Sequence, residues 1–413
     1  MQRIFENGWV FLGLASQAPG PHDYFTTSIY RTPIIVMRGA DGVLRAFVDA
    51  CPHKGARLAQ TRQGNARTLT CAYHNWSFDS SGRNRNVKWK QQGCYAAAFD
   101  ADSHDLAPLP AFGDYRGFLF GSLTTGAPPL AEHLNGAAAL LDLVADQSQD
   151  GVELIPGSVK FTFEGNWKLQ LENCSDAYHF TSTHPSYIRL LEMRRERPDE
   201  TTARSVWENS QAWSDAAQGV QGGSYSFDGG HVLNWGRIGV SDALPLYERA
   251  VELGERVGEA ARDWMFNMRN LTIFPNLQIA ENASSQLRII RPLSASRTEM
   301  QTWCIAPKDE GAGARRQRIR SYEDFFNPSG LATPDDTVSY ENCQAGFASR
   351  VQPWLQGYAR GMTASRPGGN AIGDRIGLEP ARNVLADSML CDETLYHSYY
   401  REWARRMAGE GGA

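Results

Sequence analysis

Long apolar runs are missing from this sequence of 413 residues, and a membrane-spanning helix needs about 20 such residues in succession. The opening Met1, Gln2, Arg3, Ile4 and Phe5 also lack the apolar core of a secretion signal. A cytoplasmic, reduced protein is therefore expected. Positive charge is in short supply: 41 Lys and Arg face 46 Asp and Glu, a net charge of −5. Phosphate backbones and anionic lipid demand a basic face, so neither nucleic acid nor membrane is an expected partner. The basic run Arg315, Arg316, Arg318 and Arg320 is expected to be a solvated helix face. Cysteine is scarce as well. Seven cysteines, an odd number thinly spread, exclude a disulfide framework and turn any close Cys/His grouping into a metal candidate. What remains is 42% hydrophobic and 21% charged, the balance of a folded globular chain long enough for two or three domains.

Residues 1–125 read as short β-strands punctuated by turns. Pro33 to Met37 and Leu44 to Val48 flank the turn Arg38, Gly39, Ala40, Asp41 and Gly42, a hairpin signature. A further turn falls at Ser80, Ser81 and Gly82, and Gly117 to Leu123 reads as another strand. A small all-β domain is expected here, followed by a larger α+β domain over residues 126–413. In that second domain a helical stretch to about Asp146, a strand near Val159 to Phe163 and a helix carrying Asn166 to His179 precede a Gly-, Ser- and Trp-rich stretch at 197–240. The stretch reads as a long loop, and its Gly222, Gly223, Gly229 and Gly230 would let it close over a ligand. Leu271 to Ala280, Gln286 to Arg291 and Met300 to Ala306 suggest an antiparallel meander. An amphipathic helix from about Asp392 to Met407 is expected to pack on it.

Cys51, Pro52, His53 is followed after seventeen residues by Cys71, Ala72, Tyr73, His74. Each loop thus offers one thiolate and one imidazole. A tetrahedral Cys2His2 zinc site takes the same residue types, but zinc loops usually pair like ligands in sequence. Mixed pairs suit a two-iron cluster in which both cysteines hold one iron and both histidines the other, the Rieske arrangement. Replacing two anionic thiolates by neutral imidazoles raises the cluster's potential, so that it accepts electrons readily. Gly55 would admit the backbone near the sulfides, and Trp76 would shield the second loop.

Downstream stand Asn166, Trp167 and Lys168, then Glu172, Asn173, Asp176, Tyr178, His179 and His184. On a helix Glu172, Asn173, Asp176, His179 and Phe180 share one face. His184 follows His179 by five residues, about 140° around an ideal helix, so both meet one ion only if the helix ends or bulges between them. Thr181, Ser182 and Thr183 continue a helix poorly and Pro185 ends it. Two imidazoles and a carboxylate form the facial triad of non-haem Fe(II) oxygenases, which leaves three positions open. The sequence Thr333, Pro334, Asp335, Asp336 supplies acids, although the same residues read locally as a helix cap. Asp336, Asp335 and Glu341 remain alternative ligands at this point.

The two constellations together resemble the large subunits of Rieske non-haem iron ring-hydroxylating oxygenases. The resemblance covers most of the chain and is nearest to the benzoate, toluate, anthranilate and 2-halobenzoate 1,2-dioxygenases. It extends through FEGNWK at Phe163 to Lys168, Trp264 to Asn276, SQLRIIRP at Ser285 to Pro292, CIAPK at Cys304 to Lys308, and YEDFFNPSGLATPDD at Tyr322 to Asp336. Several tens of residues that usually precede Arg3 in such relatives are absent here. The resemblance implies a helix-grip (START-like) catalytic domain, a [2Fe-2S] cluster on Cys51, His53, Cys71 and His74, and a mononuclear iron on His179, His184 and Asp336. It gives Asn173 and Asp176 catalytic-site roles, with Asp176 linking His179 to His74 of a neighbouring subunit. It further implies a trimer of alpha chains, often with a small beta subunit, and a flavin/iron–sulfur reductase or ferredoxin passing electrons from NADH. The reaction it implies adds both atoms of O2 to an aromatic carboxylate; monooxygenation of a related acid such as salicylate is the alternative. A carboxylate in an apolar pocket needs a cation, for which Arg288 and Arg269 are the candidates.

Overall fold

The computed structural model describes residues 1–197, 222–242, 244–282, 284–351, 355–386 and 392–409. The chain divides into two compact units between Leu130 and Ala131.

The first unit is built from ten short strands: β1 (Val10–Leu14), β2 (Asp23–Ile29), β3 (Thr32–Arg38), β4 (Leu44–Val48), β5 (Gln63–Asn65), β6 (Thr68–Thr70), β7 (Ser77–Asp79), β8 (Asn84–Asn86), β9 (Ala111–Tyr115) and β10 (Phe118–Ser122). They form three antiparallel sheets, β4-β3-β2-β5, β6-β7-β8 and β1-β10-β9. β3 and β4 pair across the expected turn, with Ile34 opposite Val48 and Arg38 opposite Leu44. Ile35, Met37, Phe47, Leu58, Leu69, Trp76 and Phe78 close a buried cluster that also holds Cys51 and Cys71. The side chains that anchor the sheets thus fix the two metal-candidate loops.

In the second unit ten antiparallel strands form one sheet: β11 (Val152–Leu154), β12 (Val159–Phe163), β13 (Gly222–Ser226), β14 (Val232–Gly236), β15 (Met268–Ile273), β16 (Leu277–Glu281), β17 (Ser285–Pro292), β18 (Thr298–Pro307), β19 (Arg366–Pro367) and β20 (Arg382–Ala386). Their order is β11-β18-β17-β16-β15-β14-β13-β20-β19, and β12 pairs with a second stretch of β18. The expected meander is present, with the stretch Leu271 to Ala280 divided by the turn at residues 274–276. Helices α1 (Trp167–Ser175), α2 (Phe180–Thr183), α3 (Pro185–Arg194), α4 (Ala312–Phe325), α5 (Thr333–Gly346) and α6 (Tyr396–Ala408) accompany the sheet. The interior is rich in large side chains, among them Trp167, Trp235, Tyr225 and Phe163. No helix among the described residues is long and apolar enough to cross a membrane.

Three expectations are corrected. The glycines assigned to a closing loop lie instead in and beside the β13–β14 hairpin inside the sheet, while residues 198–221 of that stretch lie outside the described residues. Gly223 is glycine because β20 runs so close that a Cβ would stand 2.1 Å from the Val384 carbonyl oxygen. The basic run is not one solvated face: Arg316 and Arg320 are exposed, but Arg318 is buried on Glu310 and the half-buried Arg315 pairs with Glu153. The last helix meets the turn at Asp228–Gly230, where Gly230 faces Tyr399 and Glu402.

Candidate functional site

The two Cys/His loops repeat one backbone design. In the first, Gly55 N donates to the Cys51 carbonyl and Cys51 N to the Ala56 carbonyl. In the second, Asn75 N donates to Cys71 O and Cys71 N to Trp76 O. Each turn closes on a left-handed residue, Gly55 at φ 74° and Asn75 at φ 58°, and these are residue types that tolerate that region. Asp49, fully buried, braces the first loop by accepting from Leu58 N and Ala59 N. Both thiols are buried, Cys51 at 2% and Cys71 at 1% exposure, and neither forms a disulfide. Their imidazole neighbours are half-buried, with ring centroids 4.4 Å apart and an interplanar angle of 73°. Trp76 stacks on His53 at 4.9 Å, so the tryptophan covers the first loop's histidine. Burial, then the partner thiol, pushes the Cys51 thiol up, while burial and His74 push His53 down. Buried Nδ1 atoms of His53 and His74 have no hydrogen-bond partner. Two buried thiols free of disulfides and two ring nitrogens without hydrogen-bond partners fit a mixed-ligand cluster, which Cys51, Cys71, His53 and His74 would hold.

The second constellation gathers around α1. Asn166 caps this helix by accepting from Lys168 N at 3.1 Å, and its side-chain Nδ2 donates to the Ala295 carbonyl. The single helical face expected from Glu172 to Phe180 is not formed. α1 ends at Ser175, and Asp176 is extended (φ −109°, ψ 112°) because its carboxylate captures the Tyr178 and His179 amides at 2.6 and 3.3 Å. This local side-chain competition breaks the helix before His179, earlier than the Thr181 to Thr183 stretch, which stays helical. His179 and His184 flank α2, with ring centroids 5.2 Å apart.

Asp336 comes from the first turn of α5. The helix begins at Thr333 with Ala332 at the cap position and no side-chain cap bond, so the capping alternative is not realised. Instead Asp336 Oδ1 lies 3.5 Å from His179 Nε2 and 3.3 Å from His184 Nε2, and accepts from Asn173 Nδ2 at 2.9 Å. One ligand atom from each of His179, His184 and Asp336 falls within 4.8 Å of the others, which suits a metal ion. Of the alternatives, Asp335 stands 3.7 Å from His184 Nδ1, and Glu341 accepts the Glu164 amide. His184 is 1% exposed and its Nδ1 has no hydrogen-bond partner. Asp176 Oδ2 lies 3.2 Å from His179 Nδ1. Burial alone would lower the His179 imidazole, but the carboxylates of Asp176 and Asp336 outweigh it and raise it. Glu172 is driven up by burial and receives the Tyr400 hydroxyl.

Residues 148–409 match the family described as "Ring hydroxylating alpha subunit (catalytic domain)", and residues 8–107 match "Rieske [2Fe-2S] domain". The chain belongs to the ring-hydroxylating oxygenase alpha subunits. It is a dioxygenase-type oxidoreductase whose cofactors are a Rieske [2Fe-2S] cluster and non-haem iron. It is 40% identical to the 2-halobenzoate 1,2-dioxygenase large subunit of Burkholderia cepacia over 98% of this chain and 86% of that one. It is 41% identical to toluate 1,2-dioxygenase subunit alpha of Pseudomonas putida over 98% and 87%. Naphthalene 1,2-dioxygenase with indole bound in the active site superposes with a TM-score of 0.83 at 26% identity, covering 99% of this chain and 89% of that one. This alpha subunit shares with it the small β domain and the large antiparallel sheet.

The sequence reading named Arg288 but not the residues it stands among. Thr272 on β15 pairs with Gln278 on β16, Gln278 with Arg288 on β17, and Arg288 with Thr302 on β18. Directly opposed residues of an antiparallel sheet share a face, so these four form a polar row across buried strands. Gln278 ties the row to α1 through Gln170, whose carbonyl accepts at 3.1 Å. Polar residues interrupting strands that are otherwise buried on both faces were the available signal.

Proposed function

We propose that this chain is the large subunit of an NADH-dependent terminal oxygenase that adds both atoms of O2 to the ring of an aromatic carboxylate of the benzoate, anthranilate or 2-halobenzoate type. The observation that carries the reading is the convergence of His179, His184 and Asp336 in a ring-hydroxylating alpha subunit about 40% identical to carboxylate dioxygenases. Cys51 and Cys71 would hold one iron of the cluster, His53 and His74 the other, and His179, His184 and Asp336 the mononuclear iron. When bound, the cluster supplies single electrons and the mononuclear iron supplies the oxygen-activating centre. The protein's own part is to orient and to hold protons. Asn173 donates to Asp336 Oδ1 and fixes the rotation of that carboxylate. Asp176, whose Oδ2 stands 3.2 Å from His179 Nδ1, would hold the proton on that nitrogen and leave the lone pair to Nε2, which faces Asn173 Nδ2 at 3.2 Å. In an assembly of three alpha chains, with a small beta subunit alongside, Asp176 would also reach His74 of the neighbouring chain. A flavin/iron–sulfur reductase, directly or through a ferredoxin, would deliver electrons from NADH. The cytoplasm, where thiols stay reduced, suits the free cysteines of the described residues.

The test is oxygen uptake with reductase and NADH over a panel of ortho-substituted benzoates under labelled O2. The expected product carries two oxygen atoms from one molecule, and 2-amino or 2-halo substrates end as catechols after loss of the substituent and carbon dioxide. A product with a single labelled atom would make the chain a monooxygenase of an acid such as salicylate. Uptake with none of the acids defeats the reading.

A further inference from the structure

Strands β15 to β18 carry three arginines, and the sheet treats them differently. Arg269 is buried and paired with Glu281; it stands three residues before Thr272 and hence on the opposite face of β15. Arg291, three residues after Arg288, pairs with Glu299 at 3.1 Å and bonds Gln301. Arg288 alone among them has no carboxylate in reach among the described residues. Its Nε donates to the neutral Gln286 Oε1, and its guanidinium lies 5.3 Å from the centre of the Phe326 ring. The two terminal nitrogens have no hydrogen-bond partner among the described residues, yet the side chain is half-buried in a sheet whose neighbouring positions are fully buried.

Position completes the argument. Arg288 stands in the polar row between Gln278 and Thr302. Gln278 bonds Gln170 of α1, one turn before Asn173, which itself bonds Asp336. Cys174, adjacent to Asn173, is buried, and burial pushes its thiol up; the charges of Arg288 and Asp336 both act on it as well, the first lowering it and the second raising it. Tyr340 lies in the field of the same two groups. A half-buried cation is costly without an anion, and a guanidinium held at Nε presents its two outer nitrogens as a fork that matches one carboxylate. Phe326 adds an aromatic face beside that fork.

We propose that Arg288 is the substrate's carboxylate anchor, pairing through its two terminal nitrogens while Gln286 and Phe326 set its orientation. The proposal rests on the reading of the substrate as an aromatic acid. Nitrobenzene has the shape of benzoate without its charge, and 1-chloro-2-nitrobenzene does the same for 2-chlorobenzoate. Each acid and its nitro isostere is compared for KM and by titration calorimetry, in the iron-loaded enzyme and in Arg288→Met, Arg288→Lys and Gln286→Glu. Arg288→Met is expected to reduce the acid-over-nitroarene preference about 100-fold, which is about 2.7 kcal/mol. Arg288→Lys keeps the charge but loses the fork and is expected to sit between. Gln286→Glu supplies an internal carboxylate to Arg288, so the acids should weaken while the nitroarenes hold. Should Arg288→Met fail to fold, the Gln286→Glu result decides. An acid preference changed less than threefold in both Arg288→Met and Gln286→Glu, with cluster spectrum and iron content intact, overturns the anchor and leaves the carboxylate dioxygenase reading standing. Acids that bind through Arg288 but are not oxygenated defeat that reading and leave the anchor standing. Failure of either acid to bind the unaltered enzyme overturns both.

Discussion

Asp336 Oδ1 is approached by three separate groups, His179 Nε2, His184 Nε2 and Asn173 Nδ2. Removing the carboxylate would leave the two imidazoles without the proposed third ligand and Asn173 Nδ2 with only His179 Nε2 beside it. Asp336→Ala is therefore expected to lower iron from about three to about two per chain while the cluster's visible absorption is kept. Metal analysis beside the spectrum checks it, and an unchanged iron content would return the ligand role to Asp335. At this scale the sequence was informative wherever chemistry demands a particular atom. Cys51, His53, Cys71, His74, His179 and His184 stood out by spacing and residue type because few side chains can hold such metals, and the structure brings each set together. Asp336 could not be separated from a helix cap locally, since a carboxylate in a first helical turn satisfies either role. Arg288 stayed ambiguous for a similar reason, as the presence or absence of a counter-carboxylate is a property of strand pairing and not of local sequence.

Among the elements, the β13–β14 hairpin shows where composition misled. Gly, Ser and Asp read as a loop, yet the strands are buried and Gly223 is required by contact with β20. Gly223→Ala is expected to destabilise the second unit by about 1–3 kcal/mol, because the intruding methyl meets backbone that cannot yield as a flexible side chain would. Denaturant unfolding measures it. The helix break at Asp176 was equally hidden, since helical periodicity runs on through Phe180 and the break is made by one aspartate bonding its own backbone. At the same hairpin turn His231 meets His133 of the helix Leu130–Leu134, a buried histidine pair. His231 Nε2 bonds the His133 carbonyl at 2.7 Å and its Nδ1 accepts from Phe274 N at 3.0 Å. Burial pushes His231 down to about 4 and His133 well below its ordinary value. Since the folded value lies below the unfolded one of about 6.5, the unfolded chain takes up the proton first as acid is added. Stability is then full above about pH 6.5 and falls as pH drops toward 4, by up to about 1.4 kcal/mol per pH unit for each such histidine. His231→Gln, whose amide can serve both bonds, should flatten that slope in urea unfolding between pH 7 and 5. An unaltered slope assigns the acid sensitivity elsewhere.

For the whole molecule, the division of labour follows from the placement of the two candidate centres in different compact units of one chain. The small unit buries Cys51 and Cys71 and leaves His53 and His74 half-buried, and the large one gathers the candidate ligands His179, His184 and Asp336 near the C-terminal end of α1. On the proposed function neither unit would turn over substrate by itself, because the residues that would hold the electron store lie in one and those that would hold the oxygen-activating iron lie in the other. The proposed assembly of three alpha chains makes a prediction that a self-sufficient chain does not. A chain carrying Cys51→Ala lacks the electron store and keeps the iron; a chain carrying Asp336→Ala lacks the iron and keeps the store. Each alone should be inactive. Coexpressed in equal amounts and mixed at random around a closed ring, roughly one quarter of neighbouring pairs join an intact store to an intact iron. Electron transfer between chains therefore predicts roughly one quarter of the normal rate per total chain from the mixture, whereas transfer confined within a chain predicts none. Differently tagged chains, purified in tandem so that only mixed assemblies remain, separate the two cases, and the absence of activity in assemblies whose individual centres are spectroscopically intact would place both redox partners within a single chain.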